Sequence, residues 1–374
     1  MRGNITRRGK RSWRIKFDLE RDSSGERKTR FVTIMGTRKQ AEAELARLLN
    51  DANKGVLVAQ TRGTVAQHLR DWLDGKDTLS PLSRQGYAVI IERQIIPVLG
   101  EIELQKLKPA DVSAWLTAMR QGKRGGQRTA RTIIHAYRVL RAALQAAVRH
   151  DVVGRNVADH VEPPKPKKRE VAILKGLEVP AVLAALKGNR LYPMVALALS
   201  TGARRSEILA LRWCDIDLKR GTLKIEHSLE QTKAGLRLKA PKTESGRRSI
   251  VLPAFAVGML SEHRKVQLEL RLQLGIGKPD PEAFVFSNEN GTPISPNHFS
   301  VMWHRAVARA GLPKRTFHSL RHSHASALIH AGLDVVRVSK QLGHSSPNIT
   351  LSTYAHEFRE GDTGAADAIG KVLG

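Results

Sequence analysis

Apolar residues recur along this chain with two periods, and each period marks a different kind of element. Near the start, Trp13, Ile15 and Phe17 alternate with Arg14 and Lys16, the period-two pattern of a half-buried strand. Arg30 to Ile34 alternates again, and Asp22-Ser-Ser-Gly25 between the runs is turn chemistry. A helix follows, with Thr37 as its cap and Ala41, Leu45, Leu48 and Leu49 as its stripe. Residues 1–60 thus read as a small strand–strand–helix module.

From residue 61 the spacing turns to three and four. Thr64 caps a helix that turns Val65, Leu69, Trp72 and Leu73 inward. Tyr87, Ile90, Ile91, Gln94 and Ile95 form a second stripe, which Pro97 and Gly100 are expected to stop. Asp111 is read as the cap of a third helix, with Val112, Trp115, Leu116 and Met119 inward. A fourth runs from Ala130 to Val148 through Ile133, Tyr137, Leu140 and Leu144. A basic loop, Gln121 to Arg128, joins the last two. Prolines 163, 164 and 166 then stiffen a charged linker over 163–170.

Residues 171–374 are mixed. Helices are expected at Val179–Lys187, Tyr192–Ser200, Glu207–Arg212, Ala254–Gly275, Pro296–Ala310 and His318–Ala331. Strands are expected at Gly221–Glu226, Leu236–Pro241 and Arg247–Leu252. The expected fold is multidomain. It has a small α+β sheet module (1–60), an all-α domain (61–162), a linker (163–170) and a mixed, mainly-α domain with a small antiparallel sheet (171–374).

Composition sharpens this picture. The chain has 374 residues, 41% of them hydrophobic, which is enough for two or three cores at roughly 150 residues per domain. Lys and Arg number 63 against 35 Asp and Glu, a net charge of +28, and so large an excess calls for a polyanionic partner. No run approaches the ~18 apolar residues of a membrane span, and Met194–Ser200 is too short. The basic start lacks an apolar stretch behind it, so no signal peptide is read, and the spread of the charge disfavours a membrane surface. The single cysteine, Cys214, excludes an intrachain disulfide and a thiolate zinc cluster, which fits a reducing cytoplasm. DNA is therefore the expected partner. Its candidate contacts are Arg7, Arg8, Lys10, Arg11, Arg14 and Lys16 in the first module, and Lys123, Arg124 and Arg128 in the basic loop. Lys165, Lys167 and Lys168 in the linker and Arg247 join them.

Four segments of the last region carry the chemistry. They are Thr201-Gly-Ala-Arg-Arg-Ser-Glu-Ile208, Pro241-Lys-Thr-Glu-Ser-Gly-Arg247, His318-Ser-Leu-Arg-His322, and Leu342-Gly-His-Ser-Ser346 with Leu351-Ser-Thr-Tyr354 behind it. In this order, in a basic chain, they resemble the tyrosine recombinase (phage integrase) family. The resemblance implies a catalytic set of Arg204, Lys242, His318, Arg321, His344 and the nucleophile Tyr354, with Glu207 as the acid that braces it. It implies an N-terminal module that binds arm-type DNA sites, a helical core-binding domain and a homotetramer on two duplexes, with a host DNA-bending protein and an excision factor as possible partners. The site of action would be the bacterial cytoplasm, on the nucleoid.

The residue types suit that chemistry. A DNA phosphodiester is anionic and repels nucleophiles, and a free tyrosine, with a pKa near ~10, is mostly neutral. Two permanently charged guanidiniums, Arg204 and Arg321, can each grip nonbridging oxygens and stabilise a pentacoordinate transition state. Lys242 would protonate the leaving 5′ oxygen, His318 would accept the tyrosine proton and His344 would bond a phosphate oxygen, with the sequence leaving open which histidine moves the proton. The product would be a 3′-phosphotyrosine and a free 5′-hydroxyl, with no metal, nucleotide or other cofactor required. His318 and His322 also share metal-ligand spacing, but Ser319 stands where a metalloprotease helix has Glu, and Arg321 would repel a cation. No phosphate-binding loop of the NTPase type is present. A type IB topoisomerase-like enzyme and a non-catalytic DNA-binding regulator are the alternatives. The apolar tail positions Ala365, Ala368, Ile369, Val372 and Leu373 could dock on a neighbouring subunit or on their own.

Overall fold

The structure, a computed structural model, describes residues 3–18, 29–53, 62–122, 127–166, 173–174, 178–241 and 244–358. Lys123, Arg124, Lys167, Lys168, Lys242, the 22–25 turn and the apolar tail positions after 358 lie outside the described residues. The chain divides into two compact units, Met1–Lys168 and Arg169–Gly374. Among the described residues no helix is long and apolar enough to cross a membrane.

The first unit opens with an antiparallel sheet of β1 (Gly3–Arg7), β2 (Ser12–Asp18) and β3 (Thr29–Met35), in that order. Ile15 stands opposite both Ile5 and Val32. One face, with Ile15 and Phe17 buried, packs on Leu45, Leu48 and Leu49 of α1 (Arg38–Asn53). β1 escapes the sequence pattern because Ile5 is its single apolar side chain, too few for an alternation to show. The other face carries Arg14, Lys16 and a half-exposed Phe31, with the Arg14 guanidinium 4.2 Å from the Phe31 ring centre.

A separate core in the same unit is helical. It joins α2 (Val65–Asp74), α3 (Pro81–Ile90), α4 (Ile96–Leu99), α5 (Pro109–Gln121) and α6 (Ala130–Arg149) around Leu69, Ile95, Trp115 and Leu140. Thr64 caps α2 as expected, its hydroxyl accepting from the Gln67 N–H. Asp111 is not a cap: it sits in the first turn of α5, and its carboxylate accepts from the Lys108 N–H. Pro97 does not stop the second stripe. The residues before it, Ile91–Ile95, widen into a π turn, and the chain stays helical to Leu99. Wider spacing ahead of a proline absorbs its missing N–H and its ring.

The second unit holds α7 (Glu178–Ala185), α8 (Tyr192–Thr201), α9 (Arg205–Ile208), β4 (Ile216–Asp217), β5 (Thr222–Ile225), β6 (Ser228–Thr232), β7 (Gly235–Lys239) and β8 (Arg248–Val251). They are followed by α10 (Ala254–Gln273), α11 (Pro296–Arg309), α12 (His318–His330), α13 (Val335–Leu342) and α14 (Pro347–Phe358). β4, β5 and β8 form one antiparallel sheet, and β6 and β7 form a separate hairpin. β4, β6, α13 and α14 are not among the elements expected from the apolar pattern: β4 and β6 are two and five residues long, and polar residues interrupt the apolar ones in α13 and α14. The main core buries Leu197, Ile208, Leu223, Ile250, Phe299 and Trp303. Phe317 meets Phe299 and Trp303 edge-on, at 4.8 and 5.4 Å between ring centres, which fixes the start of α12. A smaller cluster joins Ala325 and Ile329 of α12, Val338 and Leu342 of α13, and Tyr354 of α14.

Candidate active site

Two helix ends build the site. α8 closes on Gly202 at φ +64°, a left-handed cap, and α13 closes on Gly343 at φ +66°. Each cap offers its carbonyl to an arginine. Arg321 Nη1 donates to Gly202 O at 2.7 Å, and Arg204 Nη2 donates to Gly343 O at 3.1 Å. Residues 119 and 139 positions apart are thereby tied together. A side chain at 202 would place its Cβ 2.6 Å from His324 Cδ2 and 2.8 Å from Leu342 Cδ2. Gly202→Ala is expected to lower unfolding free energy by about 2–4 kcal/mol, from backbone strain plus displacement of packed neighbours. The midpoint of chemical denaturation measures it, and a variant as stable as the native chain would contradict this packing.

Glu207 is the buried acid of the site, 4% exposed. Its Oε1 accepts from Arg204 Nη1 at 2.7 Å, and its Oε2 from Arg204 N and Arg248 Nη2, both at 2.8 Å. Burial works against its charge, but the Arg248 hydrogen bond and the charges of Arg248 and Arg204 outweigh it, so its pKa lies below the ordinary carboxylate value. Arg248 also donates to Gln341 O at 2.9 Å, joining β8 to α13. Arg248 is not among the residues singled out from the sequence; its neighbour Arg247, expected there as a DNA contact, is exposed, with Glu226 at 3.8 Å. The usable signal was strand alternation: Arg248 lies on the same side of β8 as the buried Ile250.

Arg204 and Arg248 bond this carboxylate and Arg321 feels its charge, so among the described residues the site carries more guanidinium than carboxylate. Arg321 is 3% exposed, and its Nη2 has no partner among the described residues. Desolvation, with repulsion from Arg204, brings its pKa down to about 9, so it stays charged at neutral pH. The histidines respond to the same field. Desolvation first, then His318 and Arg321, bring His322 down to about 4. Desolvation, then Arg321 and Arg204, bring His344 down to about 4. His318 is lowered by desolvation, Arg321 and Arg204 although part of its ring reaches solvent. His344 Nδ1 pairs with the buried Thr350 hydroxyl at 2.7 Å, so Nε2 is the nitrogen left to meet a ligand.

Tyr354 breaks the regularity of α14, with φ −119° and ψ 16°. Its ring is buried, and its hydroxyl lies 2.6 Å from His322 Nδ1. Burial raises its pKa to about 12, against the pull of Arg321. The expected partner was His318, and the hydrogen bond instead runs to His322. The sequence offered His322 only as half of an unconvincing metal pair. Beside the site a cleft of about 440 Å³ opens between Arg204, Arg205, Ser300, His304, Thr316 and His318.

Arg204, Glu207, His318, Arg321, His344 and Tyr354 are therefore elements of one neighbourhood. The proposed DNA contacts are scattered. Arg7 lies in β1, 5.9 Å from the Trp13 ring centre, and Arg8, Lys10 and Arg11 are exposed in the connection to β2. Arg128 and Lys165 are also exposed.

Comparison with known proteins agrees with this geometry. Residues 173–360 match the model of the phage integrase family, and residues 64–120 match the N-terminal SAM-like domain of phage integrases. A tyrosine recombinase XerC-like protein of Caldanaerobacter subterraneus subsp. tengcongensis is 27% identical over 99% of this chain and 98% of its own. The integrase of transposon Tn1549, solved in complex with a circular intermediate DNA, shares the fold with a TM-score of 0.71 at 23% identity, over 83% of this chain and 100% of that one. A lambda integrase tetramer bound to a Holliday junction gives 0.55 at 18% identity, over 92% and 96%. With the family model spanning half of its length and the clustered arginines, histidines and tyrosine at its centre, this chain belongs to the phage integrase family and is a tyrosine recombinase.

Proposed function

We propose that this recombinase cuts and rejoins double-stranded DNA at specific sites through a 3′-phosphotyrosine, integrating and excising a phage or other mobile element. The observation that carries the reading is the buried Nη2 of Arg321, without a partner among the described residues, beside Arg204 in a site with more guanidinium than carboxylate. Such a hole is stabilised by an anion, and most by the extra charge of a pentacoordinate phosphate. Arg204 and Arg321 hold the nonbridging oxygens, His344 and His318 bond the phosphate, and Glu207 keeps Arg204 and Arg248 in place. Lys242 supplies the proton to the leaving 5′ oxygen, a role that rests on its place in the Pro241–Arg247 segment. Tyr354 is the nucleophile. The ester stores the energy of the broken bond, so rejoining needs no nucleotide.

In this reading residues 1–60 bind arm-type sites through the Arg14–Lys16–Phe31 face and the exposed Arg7, Arg8, Lys10 and Arg11. Residues 61–162 form the core-binding domain, and residues 171–374 are catalytic. The basic loop and linker, with Lys123, Arg124, Arg128, Lys165, Lys167 and Lys168, cross the DNA backbone, and Arg247 adds a phosphate contact. The tetramer on a four-way junction is supported by the lambda integrase assembly that shares this fold. A bending protein and an excision factor of the host or element would set direction. The protein works in the bacterial cytoplasm, on the nucleoid.

A nicked suicide substrate carrying the core site tests the reading. The native chain is expected to accumulate a covalent adduct, and to recombine a plasmid with two sites but not one with a single site. Relaxation of any supercoiled plasmid without recombination would favour a topoisomerase. Binding without an adduct would favour a regulator.

A further inference from the structure

α12 presents His322, Ser326 and His330 at intervals of four, one stripe along a single helix face. α14 meets that stripe with Tyr354 and Glu357. The phenol oxygen of Tyr354 is 2.6 Å from His322 Nδ1. One turn on, the Ser326 hydroxyl donates to Glu357 Oε2 at 3.0 Å, and His330 Nε2 lies 3.5 Å from the same oxygen. Beneath these contacts Tyr354 packs with Ala325, Ile329, Val338 and Leu342. The nucleophile's segment is thus clasped to its own subunit's α12 at two points, one of which is the reacting oxygen.

We infer that His322, rather than His318, takes the proton of Tyr354 as the phenol oxygen attacks, and that Ser326, His330 and Glu357 hold the phenol against it. The inference rests on Tyr354 being the nucleophile. A neutral imidazole with its proton on Nε2 accepts the phenol's hydrogen bond through Nδ1. When the Oη–P bond forms and the P–O5′ bond breaks, the phenol proton passes to His322 Nδ1, and the leaving O5′ takes its proton from Lys242. On rejoining, the proton returns from Nδ1 to Oη. Burial and the surrounding positive charge keep His322 unprotonated at neutral pH, ready to accept. Bonding to phosphorus acidifies the phenol, and the negative charge of the bound phosphate favours a protonated imidazole, so an acceptor already hydrogen-bonded in place can take the proton as the Oη–P bond forms. His318, with its ring centre 4.8 Å from that of His322, lines the cleft with Arg204 and is left for the phosphate.

The test is single-turnover adduct formation on the suicide substrate, with DNA affinity and thermal stability measured alongside. His322→Ala is expected to slow adduct formation about 10²-fold, the usual worth of a positioned base. His322→Asn, which keeps an acceptor but cannot take a proton, is expected to be nearly as slow, and it fills the site if the alanine variant loses its fold. Replacing Tyr354 by a fluorinated tyrosine, whose phenol is more acidic, is expected to recover at least about tenfold in either variant and to change the native chain little. Three results overturn the inference. They are native rates in the alanine variant, near-native rates in the asparagine variant, and no recovery on fluorination. A native chain that forms no adduct overturns the reading of Tyr354 itself, a separate outcome.

Discussion

Tyr354→Phe is expected to abolish the covalent protein–DNA adduct while DNA binding survives. The change removes one oxygen from a ring that stays packed among Ala325, Ile329, Val338 and Leu342. It breaks the 2.6 Å contact to His322, a loss of about 1 kcal/mol in stability, which a folded domain tolerates. The phenol is not among the groups proposed to grip the phosphate before attack, so affinity measured by mobility shift is expected to stay near the native value. Denaturing electrophoresis of the suicide-substrate reaction checks the adduct. A persistent band with the phenylalanine variant would move the nucleophile to another residue. Tyr87, Tyr137 and Tyr192 are poor replacements. Tyr137, for example, is buried in the helical core, with its hydroxyl donating to Ala158 O at 2.7 Å.

Arg321→Lys is the second large effect. The guanidinium spends Nη1 on Gly202 O and keeps Nη2 without a partner among the described residues, so one fork both anchors and presents a donor. A lysine keeps the charge but has one ammonium where the fork has two separated nitrogens, and it cannot serve both directions with the same geometry. Donors aimed at developing charge are typically worth about 10²–10³ in rate, so adduct formation at saturating DNA should fall by about that factor. Affinity should fall far less, because the contact strengthens as the phosphorane forms. Equal losses in rate and affinity would make Arg321 a docking residue. Retention of charge in the variant limits the cost of changing a buried site, which would be larger for alanine.

Much of the fold was legible. The three- and four-residue stripes of the helical domain, the cap at Thr64 and the helices α6, α8, α10, α11 and α12 follow from one physical fact. An isolated element must bury its apolar face, and the period of that face identifies the element. The misreadings have physical reasons as well. β1 has one apolar residue, so its partner strand, not its own pattern, makes it a strand. Pro97 forbids an ordinary helical turn but not a widened one, and packing against the helical core supplies the reason to continue. α14 shows no apolar stripe because Ile349 and Leu351 are exposed while the polar Thr350 and the phenol of Tyr354 are buried, with Tyr354 and Glu357 bonded to α12.

The site divides along the same line. The resemblance of four segments to the tyrosine recombinase family pointed to Arg204, Glu207, His318, Arg321, His344 and Tyr354, and phosphate chemistry gave a reason for those residue types. Long-range contacts alone assigned their neighbours. Arg248 becomes the second anchor of Glu207 only once β8 lies beside α13, and His322 becomes the tyrosine's partner only once α14 folds back on α12. Local pattern records what one element buries. Which polar atoms then face each other depends on how elements distant in sequence pack, and a one-dimensional spacing carries no record of that.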